Sequence, residues 1–184
     1  TQSTVLLTAP DPDLVRHQPD APAADAPGAA TASGHGVDWW ELRVAGGVDL
    51  SARAASGPPP LDVWTRFPDA PDDRLTSQAL LALATDGFMI GTSLRPHDGI
   101  SQAGAHREFS STVVTHTVRF HAPFSAADWL LLHHEARYAG RGRIAGWAEV
   151  FTEDGRLVAS FTQESMVRGF PEGQAPAAGQ RAAH

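Results

Sequence analysis

The chain has 184 residues, 42% of them hydrophobic, and 21 acidic residues outweigh 14 basic ones to give a formal net charge of −7. That length suits one ordinary domain with additional segments, and the acidic balance argues against a nucleic-acid or anionic-membrane surface. Cysteine is absent, which excludes disulfide and thiolate chemistry. No apolar run reaches the roughly 20 residues that span a bilayer, and no basic-then-apolar leader opens the chain, so the default compartment is the cytoplasm.

Residues 3–8, STVLLT, read as one short strand. A lone strand is not stable alone, so it is expected to add to a sheet built elsewhere. The stretch that follows is dominated by Pro, Ala, Asp and Gly and reads as a flexible linker. The expected division is therefore 1–17 as the final strand of a preceding domain, 18–36 as linker, 37–170 as a complete domain and 171–184 as a disordered tail.

From Val37 the pattern becomes strand-like, with DWWELRV and, after Pro58, Pro59 and Pro60, LDVWTRF. Next comes Arg74 to Ser93, RLTSQALLALATDGFMIGTS, a helical run apolar on nearly every side and therefore expected at the centre of the core. Pro71, Asp72 and Asp73 precede it, an Asp at the cap being suited to accept from its unpaired backbone N–H groups, and Gly91 and Pro96 mark its end. At helical spacing Leu75, Ala79, Ala82, Asp86 and Met89 or Ile90 share a stripe, which places Asp86 inside. An ionised carboxylate there is costly unless bonded or paired, so Asp86 is a candidate general base. A carboxylate satisfied by a neighbouring hydroxyl or backbone group is the alternative.

Four more strands follow: Ser111 to His121, Asp128 to Tyr138, Arg143 to Thr152 and Arg156 to Arg168. The last two are joined by the hairpin signal Glu153-Asp154-Gly155. Strands on both sides of one long apolar helix indicate an α+β layout, an antiparallel sheet wrapped round that helix. In the last strand Gln163 shares a face with Leu157, Ala159, Phe161, Ser165 and Val167, making it a polar intruder on the inner side. A buried Asp and a buried Gln could hold a water jointly, while a core Gln bonded only to backbone is the alternative.

His116 and His121 are five apart and fall on opposite faces of a strand, as do adjacent His133 and His134, so no metal site is expected. His116 reads as a hydrogen-bonded residue beside the helix. No Gly-rich phosphate loop follows a strand and no GxSxG elbow is present. Arg95, Arg107, Arg137, Arg141 and Arg143 could form a local basic patch for a phosphate-bearing ligand.

The segments ALATDGFMIGTSLRPH, HTVRFHAPFSAADWLL and DGRLVASFTQESMVR, in this order over residues 61–168, resemble acyl-CoA thioesterase II, a double-hotdog family. The resemblance implies a hotdog fold, hydrolysis of acyl-CoA to free acid and CoA, and no metal or organic cofactor. In that family an Asp on the hotdog helix, a Thr or Ser on the following strand and a Gln on the final strand hold the attacking water. Asp86 and Gln163 match the first and third. Val113 stands at the hydroxyl position, with Thr115 two residues on and expected on the same face. Either Thr115 replaces the hydroxyl or the site is degenerate. Arg95, Arg137 and Arg143 are the candidates for the CoA phosphates. A second hotdog domain, in a homo- or hetero-oligomer, is the expected partner. A non-catalytic acyl-CoA-binding or assembly subunit is the alternative function, and enoyl-CoA hydration through His116 a third.

Overall fold

The computed structural model describes residues 2–7, 14–33, 36–54 and 57–170. Its strands are β1 (Thr31–Ala32), β2 (Glu41–Val44), β3 (Pro60–Arg66), β4 (Phe109–Phe120), β5 (Leu130–Gly140), β6 (Arg143–Thr152) and β7 (Leu157–Gly169). They form one antiparallel sheet in the order β1-β2-β3-β5-β6-β7-β4, with β1 and β4 at its edges. The strands after the helix were legible because their side chains alternate between a buried and a wetter face.

The expected helix over Arg74 to Ser93 is two helices, α1 (Arg74–Ala84) and α2 (Met89–Leu94). Thr85 closes α1: its amide donates to Leu81 O and its hydroxyl donates to Ala82 O at 2.8 Å. Asp86 and Gly87 follow, both weak helix formers, before Thr92 N–H resumes the ladder to Phe88 O. Of the two aspartates that precede α1, Asp73 is the cap, accepting from Thr76 N–H at 2.8 Å.

The inner face of the sheet packs on this pair of helices. Leu81 and Met89 meet Leu130, Leu132, Ile144, Ala148, Val150, Ala159 and Phe161 in the principal core cluster, while Phe88 packs with Leu42, Val44, Leu61 and Val63. Gly146 lets Met89 lie flat on β6, since a Cβ there would collide with Met89 Sδ and stand 2.6 Å from Glu135 O. The outer face carries Trp64, Leu131 and Phe151.

The 18–36 stretch, expected as a flexible linker, is docked on that outer face over its described residues. Ala21, Ala24 and Ala30 pack against Trp64, Leu131 and Phe151. Trp64 Nε1–H donates to Asp25 O at 2.7 Å, and Arg43 Nη1–H donates to Pro27 O at 2.8 Å. Gln18 bonds across to Gly155 O and Leu157 N–H. Small side chains let this segment lie close to the sheet, and its carbonyls find donors there. Residues 3–7 of the expected first strand have no strand structure, and Val5, Leu6 and Leu7 are exposed; Thr8 lies outside the described residues. The expected tail, 171–184, lies outside them as well. Among the described residues no helix is long and apolar enough to cross a membrane.

Candidate functional site

β7 places Gln163 on the inner face, as its alternation required: the side chain is 1% exposed. Its Nε2–H donates to Ser165 Oγ at 3.1 Å, and Oε1 is buried with no partner among the described residues. A fully buried amide oxygen without a donor is costly, so this one is suited to a group that the chain itself does not supply.

Asp86 lies elsewhere than expected. The buried stripe of α1 is Ser77, Leu81, Ala84 and Thr85, and Asp86, just past the helix end, is exposed, as are Leu75 and Leu83. A helix apolar on both sides carries no periodic signal for which side its own sheet will cover. Asp86 still stands on the helix side of the sheet, at the break between α1 and α2, near enough to His116 to act on its charge.

Thr115 is also displaced from expectation. β4 and β7 are in register from Phe109 to Val113 and again from Thr115 to Phe120, with a bulge at Val114 between. Val113 stands opposite Ser165 and Thr115 opposite Glu164. The extra residue breaks the alternation, so two positions that share a face in a regular strand lie on opposite faces here. Thr115 is exposed on the outer face, away from Gln163.

The residue brought to the inner face instead is His116, whose ladder partner is Gln163. His116 Nε2 lies 3.1 Å from Thr85 Oγ1, and its ring meets Phe161 edge-on at 5.5 Å. Burial holds its pKa below the ordinary histidine value, with Asp86 opposing that shift more weakly. The His116 reading as a residue bonded beside the helix therefore has its partner, Thr85. Its place opposite Gln163 was hidden, because only the bulge sets that register.

Phe161 separates His116 from His134, which it meets edge-on at 5.6 Å. His134 is fully buried, bonds Leu61 O through Nδ1 at 3.2 Å and is driven by desolvation to a pKa of about 4. His133 points the other way and donates to Asp62 Oδ1 at 2.7 Å, a bond that raises its pKa. The paired histidines thus lie on opposite faces, as do His116 and His121, the latter bonded to Ser160 at 2.9 Å on the outer side.

The three candidate arginines do not form one cluster. Arg95 is buried at the end of α2, donates to Pro60 O and lines a cavity of about 280 Å³ with Asp25, Ala45, Val48 and Asp62. Arg137 pairs with Glu135 at 2.8 Å and lies over the Trp147 ring, 5.1 Å from its centroid. Arg143 is exposed at the start of β6, opposite Met166.

The model of the family described as acyl-CoA thioesterase C-terminal domain matches residues 12–167. The chain is 34% identical over 101 residues to acyl-CoA thioesterase 2 of Haemophilus influenzae, a match covering 54% of this chain and 34% of that protein. It is 31% identical over 91 residues to human acyl-coenzyme A thioesterase 8, covering 50% and 27%. The chain thus spans about a third or less of the curated relatives it matches. Among solved structures, it resembles the acyl-CoA thioesterase II TesB2 of Mycobacterium marinum, with a TM-score of 0.69 and 26% identity, over 89% of this chain and 60% of that one. A protein of unknown function with a hot dog fold from Alicyclobacillus acidocaldarius shares the fold at a TM-score of 0.62 and 18% identity, over 88% and 59%. The antiparallel sheet packed on its helix pair is a hotdog fold, and the chain belongs to the acyl-CoA thioesterase C-terminal domain family.

Proposed function

We propose that this chain takes part in hydrolysis of acyl-CoA thioesters to free acid and CoA, by direct attack of water at a site formed around Asp86 and Gln163. The observation that carries the reading is the buried, unpartnered Oε1 of Gln163 on the helix side of the sheet, at the position where the family resemblance puts a water-holding amide. Asp86 takes one proton from the water as its oxygen bonds to the carbonyl carbon. The tetrahedral intermediate then collapses with cleavage of the C–S bond, and the proton passes from Asp86 to the departing sulfur. General-base help of this kind is worth roughly 10²–10⁴-fold. The route uses no nucleophilic side chain, metal or organic cofactor. The compartment that goes with it is the cytoplasm, and the process is lipid metabolism.

A second hotdog domain belongs to this reading. β4 is a 12-residue strand at the sheet's edge, with only an isolated bridge from Ala105 to Phe109 beside it among the described residues, and Leu75, Leu83 and Val114 are exposed apolar side chains on α1 and β4. Long unpaired edges are normally covered. Asp86 is exposed on this isolated chain, and a partner domain over α1 would enclose it. The arginines Arg95, Arg137 and Arg143 remain separate candidates for the CoA phosphates, Arg137 and Arg143 being exposed and Arg95 buried. The alternative, a non-catalytic acyl-CoA-binding subunit, draws on Val113 at the hydroxyl position. Release of free CoA from a panel of acyl-CoAs decides between them: thiol appearing at an enzyme-dependent rate supports hydrolysis, and tight binding without release supports the alternative.

A further inference from the structure

We propose that Gln102 is a positioning residue for the reaction, holding the carboxylate of Asp86 in place by fixing the Gly87 carbonyl beside it. The inference rests on the hydrolytic reading above, in which Asp86 is the base.

The break between α1 and α2 runs from Thr85 to Phe88. Thr85 is fixed locally, through its amide to Leu81 O, its hydroxyl to Ala82 O and its contact with His116 Nε2. Phe88 is fixed by burial at the start of α2, where its carbonyl accepts from Thr92 N–H. Asp86 and Gly87, between these two anchors, are exposed. Gly87 has wide backbone freedom, and its carbonyl precedes the first rung of the α2 ladder. With only water on it, that peptide is free to rotate, and the Asp86 side chain turns with it.

Gln102 supplies the missing bond: its Nε2–H donates to Gly87 O at 3.0 Å. Its own backbone is anchored in the short turn Gln102–Gly104, the amide donating to Leu50 O at 3.2 Å and the carbonyl accepting from Ala105 N–H at 3.0 Å. The side chain reaches Gly87 by lying flat on α2 at Gly91, where a Cβ would stand 1.9 Å from Oε1 and 3.0 Å from Cδ. Oε1 is buried there with no partner among the described residues. A buried acceptor without a donor is costly, so an apolar side chain of the same length would suit this turn better. What the amide adds is the hold on Gly87.

Two variants break that hold by different routes. Gln102→Met keeps the length and removes the donor. Gly91→Ala displaces the amide, because the new Cβ meets only the end of that flexible side chain, with Leu50 Cδ1 at 3.5 Å, and alanine is the better helix former. Both are expected to keep the parent's thermal midpoint. In both, kcat for CoA release is expected to fall about tenfold or more with little change in the Michaelis constant, since a shift of about 1 Å at a catalytic group costs up to about 10²-fold. The double variant is expected to lose no more than either single one, because both remove the same contact. In an Asp86→Asn background, Gln102→Met is expected to lower kcat no further. A further fall there of about tenfold, or parent turnover in both single variants, would overturn the assignment while leaving the hydrolytic reading intact. Independently of activity, ¹⁵N relaxation of the unmutated protein is expected to show the Asp86 and Gly87 amides as ordered as α1, with order parameters of about 0.85 that fall toward about 0.6 in either variant. Unchanged order in both would overturn the assignment. Absence of CoA release by the unmutated protein would instead refute the hydrolytic reading, and the relaxation comparison would still decide whether Gln102 holds the Asp86 segment.

Discussion

Thr115 stands opposite Glu164 in the β4–β7 ladder, on the face of the sheet turned away from Gln163. A hydroxyl there cannot share a water with the Gln163 amide. Thr115→Val is therefore expected to leave CoA release within about twofold of the parent, whereas Val113→Thr, opposite Ser165 on the inner face, is expected to raise it. Steady-state kinetics on the two variants checks this, and loss of activity in Thr115→Val would restore Thr115 to the site.

Among the described residues, Asp86 is the carboxylate whose charge acts on His116. Its replacement by Asn keeps size and polarity and removes the base. Turnover is expected to fall by a factor of about 10² or more with much less change in the Michaelis constant, since the loss concerns the proton transfer. Unchanged kcat in Asp86→Asn would dismiss it as the base.

Buried His134 makes the fold sensitive to acid. Its pKa is about 4 in the folded chain against an ordinary histidine value of 6.5, so below pH 6.5 the unfolded chain takes up a proton that the folded chain refuses. Stability is thus unaffected by this group above pH 6.5, and falls as the pH drops toward 4 by about 3 kcal/mol in all, at about 1.4 kcal/mol per unit. His133 works in the opposite sense, its bond to Asp62 stabilising the charged form at low pH. Comparing His134→Leu with the parent isolates the buried ring. Urea midpoints at pH 7.5 and 4.5 are expected to differ less in the variant, and an equal pH dependence would contradict the assignment.

The open edge of β4 and the exposed Leu75, Leu83 and Val114 give an expected outcome for assembly. Light scattering of the purified chain should report more than one copy per particle, and Leu83→Glu should shift it toward the monomer with a parallel loss of CoA release. A stable, active monomer would refute the link between assembly and activity.

The strands β2 to β7 and the inward place of Gln163 were legible in the sequence, because a period of two with Gly-marked turns is a local signal. Helix and strand order together also carried the α+β layout. What the local pattern could not hold were the positions that depend on contacts across the fold. The bulge at Val114 leaves the apolar pattern of SSTVVTHTV intact while putting Val113 and Thr115 on opposite faces. The apolar run of α1 offers two nearly equal sides, and only packing on the sheet decides that Leu81 goes in and Asp86 stays out. The Pro- and Ala-rich segment has no periodicity, yet its carbonyls meet Trp64 and Arg43 on the outer face. His116 finds its hydrogen-bond partner in Thr85, 31 residues away in sequence, and its neighbour Gln163 through strand register. Local propensity specifies which elements form, but which side of each is buried follows from long-range pairing, and in this chain that pairing selects the residues that surround Gln163.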